Sequence, residues 1–451
     1  MLDEKAAKAL VVSVLEGAKK AGADEAEVHL GGGRSALTRF ANNEIHQNVA
    51  SEVVEVSLRV AIGKRTARTS TTKIDAAGIA QLVARTLEVA KLAPEDKDLL
   101  PVFESKEKDL SSEHMDEKTA ASTPEERAAA VKKVLDAVEK AGFTAAGYLS
   151  ADSGSVGDWG GLGTWVYGNS TGLLRSFART RASFSMTVEG KDTSGWCEAQ
   201  DPAIGSLDVE ALAKTAIERC QASANPADVE PGAYDVILEP AAVRELVDFL
   251  FWGGFTGRSY EEGDTWSAGL LGKKIFDEKI TMRDDFSDPR NPGAPWDEEG
   301  VPRKKLALVE KGVLKELAWD RRSGAKFKKE TTGHGGRQPN LGGGGPGHVL
   351  MEGGDSSVAA MIKATKRGIL VPHFWYCRLV DMKKVIVTGM TRDAFFLVED
   401  GKVTKGLRHM RFNQGVIEML NNVEALGPVD PSYMVPAMKV RGFTFSSKTK
   451  F

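Results

Sequence analysis

Cysteine is scarce in this chain. Its 451 residues include three, Cys197, Cys220 and Cys377, which lie far apart and form no CxxC pair. Three isolated cysteines cannot build a disulfide framework or a cysteine-rich metal site. A reducing compartment suits such a sequence, and we therefore expect a cytoplasmic protein.

Long apolar runs are missing as well. The longest stretches, such as residues 246–255, are much shorter than the roughly 20 apolar residues that cross a bilayer. The first residues, MLDEKAAKALVV, do not read as a secretion signal. The sequence predicts no membrane association.

Neither sign of charge dominates the chain. It carries 60 basic and 63 acidic residues, for a formal net charge of −3. Nucleic-acid binding depends largely on an excess of positive charge, which is absent here. We expect no nucleic-acid partner.

Periodic patterns predict an α+β fold in two domains. Apolar residues alternate from Val54 to Ile62, as in a half-buried strand, and Thr123 and Glu126 form a capping-box signature for a helix ending near Gly142. We predict an N-terminal α+β domain over residues 1–228, with a linker at about 106–123. Hairpin signals at residues 310–312 and 399–402 predict a mainly antiparallel β domain over residues 229–451.

Several phrases, in order along nearly the whole chain, resemble the TldD/PmbA family (peptidase U62, also called modulator of DNA gyrase). They are RFANNEIHQ (39–47), VSLRVAIGKR (56–65), GNSTG (168–172), PGAYDVILEPAAV (231–243), SAGLLG (267–272), WDEEGVPR (296–303), TTGH (331–334) and TGMTRDAFFLVEDG (388–401). Each phrase is weak by itself, and their shared order is what identifies the family.

The zinc motif of that family is absent. Its catalytic subunits carry HExxxH on a helix after the VILEP-like strand and a cysteine ligand near the C-terminus, and both histidines are expected on one helix face. Here the aligned positions are Asp248, Phe249 and Gly253, no histidine lies between His114 and His334, and no cysteine lies in 427–451. The resemblance therefore implies no catalytic residue, no metal and no cofactor in this chain.

The resemblance implies a non-catalytic, TldE/PmbA-like subunit. A TldD-like partner would hold the zinc, and the complex would degrade or trim unfolded peptides. Without such a partner we expect no peptidase activity. Two alternatives stay open: a proteolytically inert, homodimeric peptide-binding protein, and a modulator of DNA gyrase.

Three residues are candidates for peptide or partner contact. His334 and Arg337 lie in the glycine-rich segment 333–347, which we predict to be a long surface loop. Arg392 precedes a predicted strand, where it could instead pair with Asp393 or cap a turn.

Two further groups have a structural and a metal-binding interpretation. His373 and Cys377 lie four residues apart in an apolar run and are favoured as core or edge residues. Asp284, Asp285 and Asp288 are favoured as turn residues over a magnesium site.

Overall fold

The computed structural model describes residues 2–155 and 163–449. The first unit is an eight-stranded sheet with helices packed on it, in the order β3-β2-β1-β5-β7-β4, with β6 beside β1 and β7 and with β8 beside β7. Its helices are α1 (Glu4–Lys20), α2 (Ala76–Leu92), α3 (Glu117–Ala121), α4 (Pro124–Lys140) and α5 (Val209–Ala222). Its strands are β1 (Glu25–Ala41), β2 (Glu44–Ile62), β3 (Arg65–Thr71), β4 (Asp109–His114), β5 (Thr144–Gly154), β6 (Val166–Asn169), β7 (Leu174–Glu189) and β8 (Ser194–Asp201).

Two apolar cores cover different parts of this sheet. Helices α1 and α2 bury one side chain per turn, as Val11 and Val14 illustrate, against the alternating Val56, Leu58 and Val60 of β2. Helices α4 and α5 form the second core with β5, β7 and β8. The predicted capping box is present at the start of α4, where the side chains and backbone N–H groups of Thr123 and Glu126 bond reciprocally.

The prediction that residues 106–123 form an irregular linker is wrong. Strand β4 pairs in parallel with β7, and α3 follows directly. Ser111 of β4 accepts a hydrogen bond from the ammonium of Lys8 at 2.9 Å and donates one to Glu4 at 2.6 Å. A strand fixed by such polar bonds lacks the apolar alternation by which strands are recognised in a sequence.

The second unit holds a nine-stranded and a four-stranded sheet. Their orders are β15-β16-β19-β21-β9-β14-β17-β18, with β20 beside β21, and β12-β11-β10-β13. The strands are β9 (Gly232–Leu238), β10 (Met282–Asp284), β11 (Leu306–Glu310), β12 (Val313–Leu314), β13 (Val349–Met351), β14 (Arg367–Val371), β15 (Phe374–Asp381), β16 (Ile386–Thr391), β17 (Phe396–Glu399), β18 (Lys402–Gly406), β19 (Met410–Gly415), β20 (Val423–Asp430) and β21 (Val435–Lys448). The helices are α6 (Pro240–Phe251), α7 (Gly257–Glu262), α8 (Arg321–Phe327), α9 (Val358–Lys363) and α10 (Val416–Asn421).

Apart from the parallel pair β9/β14, the strand pairs of both these sheets are antiparallel. The predicted α+β class, with an antiparallel C-terminal unit, is confirmed. Stacked phenylalanines fill its core: the Phe374 ring lies 4.5 Å from that of Phe412 and 5.6 Å from that of Phe443.

A buried charge cluster joins the two units. The Glu27 carboxylate of β1 accepts hydrogen bonds from Arg68, from Arg59 at 3.4 Å and from the Tyr167 hydroxyl at 3.3 Å, and it lies 3.2 Å from His29 Nε2. Burial by itself raises the pKa of Glu27, but the guanidiniums of Arg59 and Arg68, together with His29, hold it well below its usual range.

From this cluster the contacts continue into the second unit. The His29 Nδ1 atom lies 3.1 Å from the Glu298 carboxylate, which also accepts a bond from Arg337 at 2.9 Å. The Arg68 guanidinium donates to the carbonyl oxygen of Gln338 at 2.6 Å. Segments 296–303 and 333–347 are therefore held against the first sheet.

Glu27→Ala is expected to lower the free energy of unfolding by about 3–5 kcal/mol, because Arg59 and Arg68 would remain buried without their carboxylate. Urea unfolding followed by circular dichroism measures this change. The exposed Glu88→Ala of α2 is the control, for which we expect a change within about 0.5 kcal/mol. Equal effects of the two substitutions would contradict a structural role for the cluster.

We propose a domain boundary near residue 228, between the end of α5 and the start of β9. Ala224, Asn225 and Asp228 are exposed there. Limited digestion with elastase, which cleaves after small residues, should cut first at 224–227 or at Leu341 and Gly342, the exposed middle of segment 333–347. A first cut inside the antiparallel sheet, after Val387 or Val398, would refute this division.

Candidate functional site

A cavity of about 360 Å³ lies where α6 of the second unit meets β7 and β8 of the first. Its charged and aromatic lining includes Arg179, Trp196, Glu198, Arg244, Glu245, Asp248 and Tyr433. Two bonds close its rim: the Gln200 side chain donates to the Ser432 carbonyl oxygen at 2.6 Å, and the Tyr433 hydroxyl donates to the Glu198 carbonyl oxygen at 3.3 Å. Both units therefore build the cavity wall.

The sequence of α6 explains which side chains reach the cavity. The helix starts with Pro240 in its first turn, and its apolar stripe, which includes Val243, Leu246 and Leu250, is buried in the core. Arg244, Glu245 and Asp248 form the opposite, polar face. Arg244 and Asp248 are one turn apart, and their Nε and Oδ1 atoms lie 2.7 Å apart.

Three carboxyl groups of the cavity have raised pKa values. Burial, together with the neighbouring Glu198 and Asp248, raises the pKa of Glu245 to about 8, although its carboxylate accepts a 2.6 Å bond from the Phe374 N–H. Burial also raises the pKa of Glu198 and of Asp248, the latter against the opposing effect of Arg244. Near neutral pH, Glu245 is mainly a neutral hydrogen-bonding group.

The residues at the zinc-motif positions do not fit a zinc ion. The Asp248 carboxylate is engaged by the Arg244 guanidinium, and Phe249 is buried in the core, 4.9 Å from the Trp252 ring. Gly253 has no side chain and a φ of 83°. Zinc needs three or four nitrogen, sulfur or oxygen ligands, which these positions cannot supply.

Positions 248 and 253 do not share a helix face in this chain. Helix α6 ends at Phe251, and Gly253 lies beyond it in the left-handed region. Elsewhere in residues 2–155 and 163–449, no group of three or more His, Cys, Asp or Glu side chains is placed to hold a metal ion.

His334 and Arg337 do not lie on this cavity, and segment 333–347 is only in part the surface loop that we predicted: residues 333–335 are buried, whereas Pro339, Leu341 and Gly342 are exposed. His334 is buried, its Nδ1 atom lies 2.8 Å from Thr332 Oγ1, and burial together with Arg303 lowers its pKa to about 3. Arg337 belongs to the charge cluster through Glu298. The glycines permit this burial: a Cβ on Gly344 would come within 2.6 Å of the His334 carbonyl oxygen.

Arg392 lies in a third place, at the edge of the nine-stranded sheet. Its guanidinium stacks 4.0 Å from the centre of the Trp375 ring, and its Nε atom lies 3.4 Å from Asp393. The three candidate contact residues therefore do not form one site.

The two groups with alternative metal interpretations occupy structural positions. His373 is buried and stacks on Trp196 of the first unit at 4.1 Å, and Cys377 is half-buried, which raises the pKa of its thiol. Asp285 and Asp288 accept bonds from backbone N–H groups two residues on, as turn residues do. Asp284 differs from this expectation, because it is buried at the end of β10 and accepts a 2.6 Å bond from the Gly347 N–H.

Sequence reasoning missed Trp196, Glu198, Glu245 and Tyr433. One signal was present: Arg244, Glu245 and Asp248 are the polar positions of an otherwise apolar helix. No local pattern marks Glu198 or Tyr433, because their proximity to α6 depends on how the two units pack.

Together, the fold and the site define the class of protein: an α+β protein of two packed units with a charged cavity between them. Sequence comparison matches residues 26–90 to the PmbA/TldA metallopeptidase domain 1, residues 117–223 to its central domain and residues 231–447 to its C-terminal domain. The chain belongs to the PmbA/TldD family.

A solved structure shows the same fold. The crystal structure of TldE from Thermococcus kodakarensis superimposes with a TM-score of 0.82 at 21% identity, covering 97% of this chain and all of that chain. At this identity the likeness concerns the fold.

Curated relatives are distant. Metalloprotease PmbA of Escherichia coli O157:H7 is 23% identical over 401 residues, which are 83% of this chain and 82% of that protein. A metalloprotease of Methanothermobacter thermautotrophicus is 24% identical over 276 residues, covering 57% of this chain and 59% of that protein. This chain spans about half the length of two further curated relatives, 44% of one and 47% of the other.

In residues 2–155 and 163–449, no helix combines the length and the apolar character that crossing a bilayer requires.

The raised pKa of Glu245 predicts that the stability of the fold depends on pH. Folded, it keeps its proton up to about pH 8, whereas the unfolded chain releases it above its ordinary value of 4.5. Unfolding therefore releases a proton between these pH values, and the free energy of unfolding should fall as pH rises through this window.

Glu245→Gln should flatten that dependence and stabilise the fold by about 1–3 kcal/mol at pH 8, since the amide oxygen can still accept the Phe374 N–H bond. Urea unfolding at pH 5, 6, 7 and 8 measures the effect, with the exposed Glu88→Gln of α2 as control. Identical pH profiles for the variant and the parent chain would show that Glu245 is not protonated in the fold.

Proposed function

We propose that this chain is a non-catalytic subunit of a zinc metallopeptidase complex that degrades or trims unfolded peptides. One observation carries the proposal: at the zinc-motif positions Asp248 is paired with Arg244, Phe249 is packed in the core and Gly253 lies past the helix. This chain can neither ligate zinc tightly nor activate a water molecule there.

The retained cavity supports a role in holding substrate. Its wall offers two kinds of group for an extended peptide: arginine donors, and the Glu245 carboxyl, which stays neutral enough to donate to a peptide carbonyl. Trp196 adds an aromatic face. A TldD-like partner would supply the zinc and the water activation, and we place the complex in the cytoplasm, where three unpaired cysteines stay reduced.

A second function from the sequence, that of an inert homodimeric peptide-binding protein, needs the same cavity but no partner. The two functions differ in whether peptide hydrolysis appears when a TldD-like partner is added. Direct action on DNA gyrase has no observation in its favour in this structure.

The test compares three samples: this chain, an HExxxH-bearing relative from the same organism, and the two co-expressed. Zinc is measured by mass spectrometry, and hydrolysis is followed with a labelled unstructured peptide. We expect far less than one zinc per chain and no hydrolysis for this chain alone, and a stable, active complex from co-expression. A homodimer that binds the peptide and ignores the relative would favour the second function.

Restoring the motif sharpens the test. Asp248→His, Phe249→Glu and Gly253→His together should give at most weak zinc binding and little hydrolysis, because Gly253 lies off the helix and the distal cysteine is absent. One zinc per unmodified chain, with hydrolysis that Asp248→Ala abolishes, would overturn the proposal.

A further inference from the structure

Strand β15 is the outermost strand of the nine-stranded sheet. It pairs with β16 on one side, and within the described residues no strand pairs with its other edge. Register shifts between Trp375 and Arg378, and again between Leu379 and Asp381, interrupt its ladder. Such bulges discourage addition of a continuous strand, so any partner here would bind through side chains.

Large apolar side chains are exposed along β15 and the turn after it. The exposed fractions are 46% for Trp375, 60% for Tyr376, 62% for Val380 and 48% for Met382. Aromatic residues, methionine and arginine are the types enriched in protein interfaces. The four exposed apolar side chains lie within eight consecutive residues and leave an apolar surface that a protein partner would cover.

The two aromatic side chains of this surface are held by contacts with each other and with two arginines. The Arg378 guanidinium lies 4.6 Å from the Tyr376 ring centre, Arg392 stacks on Trp375, and the two rings lie 5.3 Å apart. Tyr376 adopts a φ of 58°, which is unusual for a bulky residue. A prearranged surface loses little entropy when it binds.

The charge around these side chains selects the kind of partner. Arg378, Lys383, Lys384 and Arg392 are positive. Of the nearby carboxylates, Asp381 accepts the N–H bonds of Lys383 and Lys384, and Asp393, which lies 3.4 Å from Arg392, is buried. A second copy of this chain would place like charges together, which costs affinity. A subunit with acidic residues around an apolar surface is complementary.

We propose that Trp375, Tyr376, Arg378, Val380, Met382 and Arg392, here called the β15 patch, form the docking surface for the catalytic partner, which presents an apolar face bordered by carboxylates. This inference rests on the proposed function. The patch begins one residue after Phe374, whose N–H bonds to Glu245 in the cavity wall.

The experiment measures binding of the HExxxH-bearing relative to this chain by isothermal titration calorimetry. Trp375→Ala should weaken binding at least tenfold, and Arg378→Glu should weaken it at least tenfold while reducing its dependence on salt. The matched controls on α2 are Leu92→Ala, an exposed apolar residue, and Arg85→Glu, an exposed arginine. Both should stay within twofold of the parent chain, and circular dichroism verifies folding of all four.

Three other outcomes overturn the inference in different ways. Tight binding by the parent chain that both patch variants retain would refute the patch and leave the proposed function standing. No binding by the parent chain would refute both. A homodimer of the parent chain that Trp375→Ala dissociates would show that the occupant is a second copy.

Discussion

Burying the Glu27 carboxylate in the centre of the first sheet sets a constraint that both units must satisfy. An unpaired carboxylate there would cost several kcal/mol, so the fold depends on two arginines, a histidine and a tyrosine hydroxyl reaching it together. Because His29 uses its second nitrogen on Glu298, and Arg68 bonds to the Gln338 carbonyl, the same cluster determines how the second unit sits on the first. We regard it as a source of orientation more than of net stability.

That orientation creates the cavity. Trp196 and Glu198 come from β8, whereas Arg244, Glu245 and Asp248 come from α6, and they meet only when the units are packed in this way. At the zinc-motif positions the Arg244 guanidinium engages the Asp248 carboxylate, so this side of the cavity wall carries an ion pair rather than a set of metal ligands. Beside it, burial keeps the Glu245 carboxyl mainly neutral near pH 7.

Local signals in the sequence predicted much of the fold and little of the site. Alternation found β2, the capping box found α4, and the hairpins at Lys311 and at Asp400 were correct. Strand β4 was missed because hydroxyl and charged side chains, not apolar ones, fix it. The burial of residues 333–335 was missed because glycines in a sequence suggest a flexible loop, whereas here they permit close packing. The loss of the zinc motif needed only residue identities, whereas Glu198 and Tyr433 required knowledge of how distant segments meet.

Strand β15 carries the proposed docking patch, and its first residue contacts the cavity wall. Phe374 donates its N–H to Glu245 while its ring packs against Phe412 and Phe443, and the preceding residue, His373, stacks on Trp196 of the first unit. A subunit docked on the patch would therefore contact Trp375, one residue from the Glu245 bond. Since the Phe374 N–H stabilises the ionised form of Glu245, a docked subunit that lengthened this bond would raise the pKa of that carboxyl.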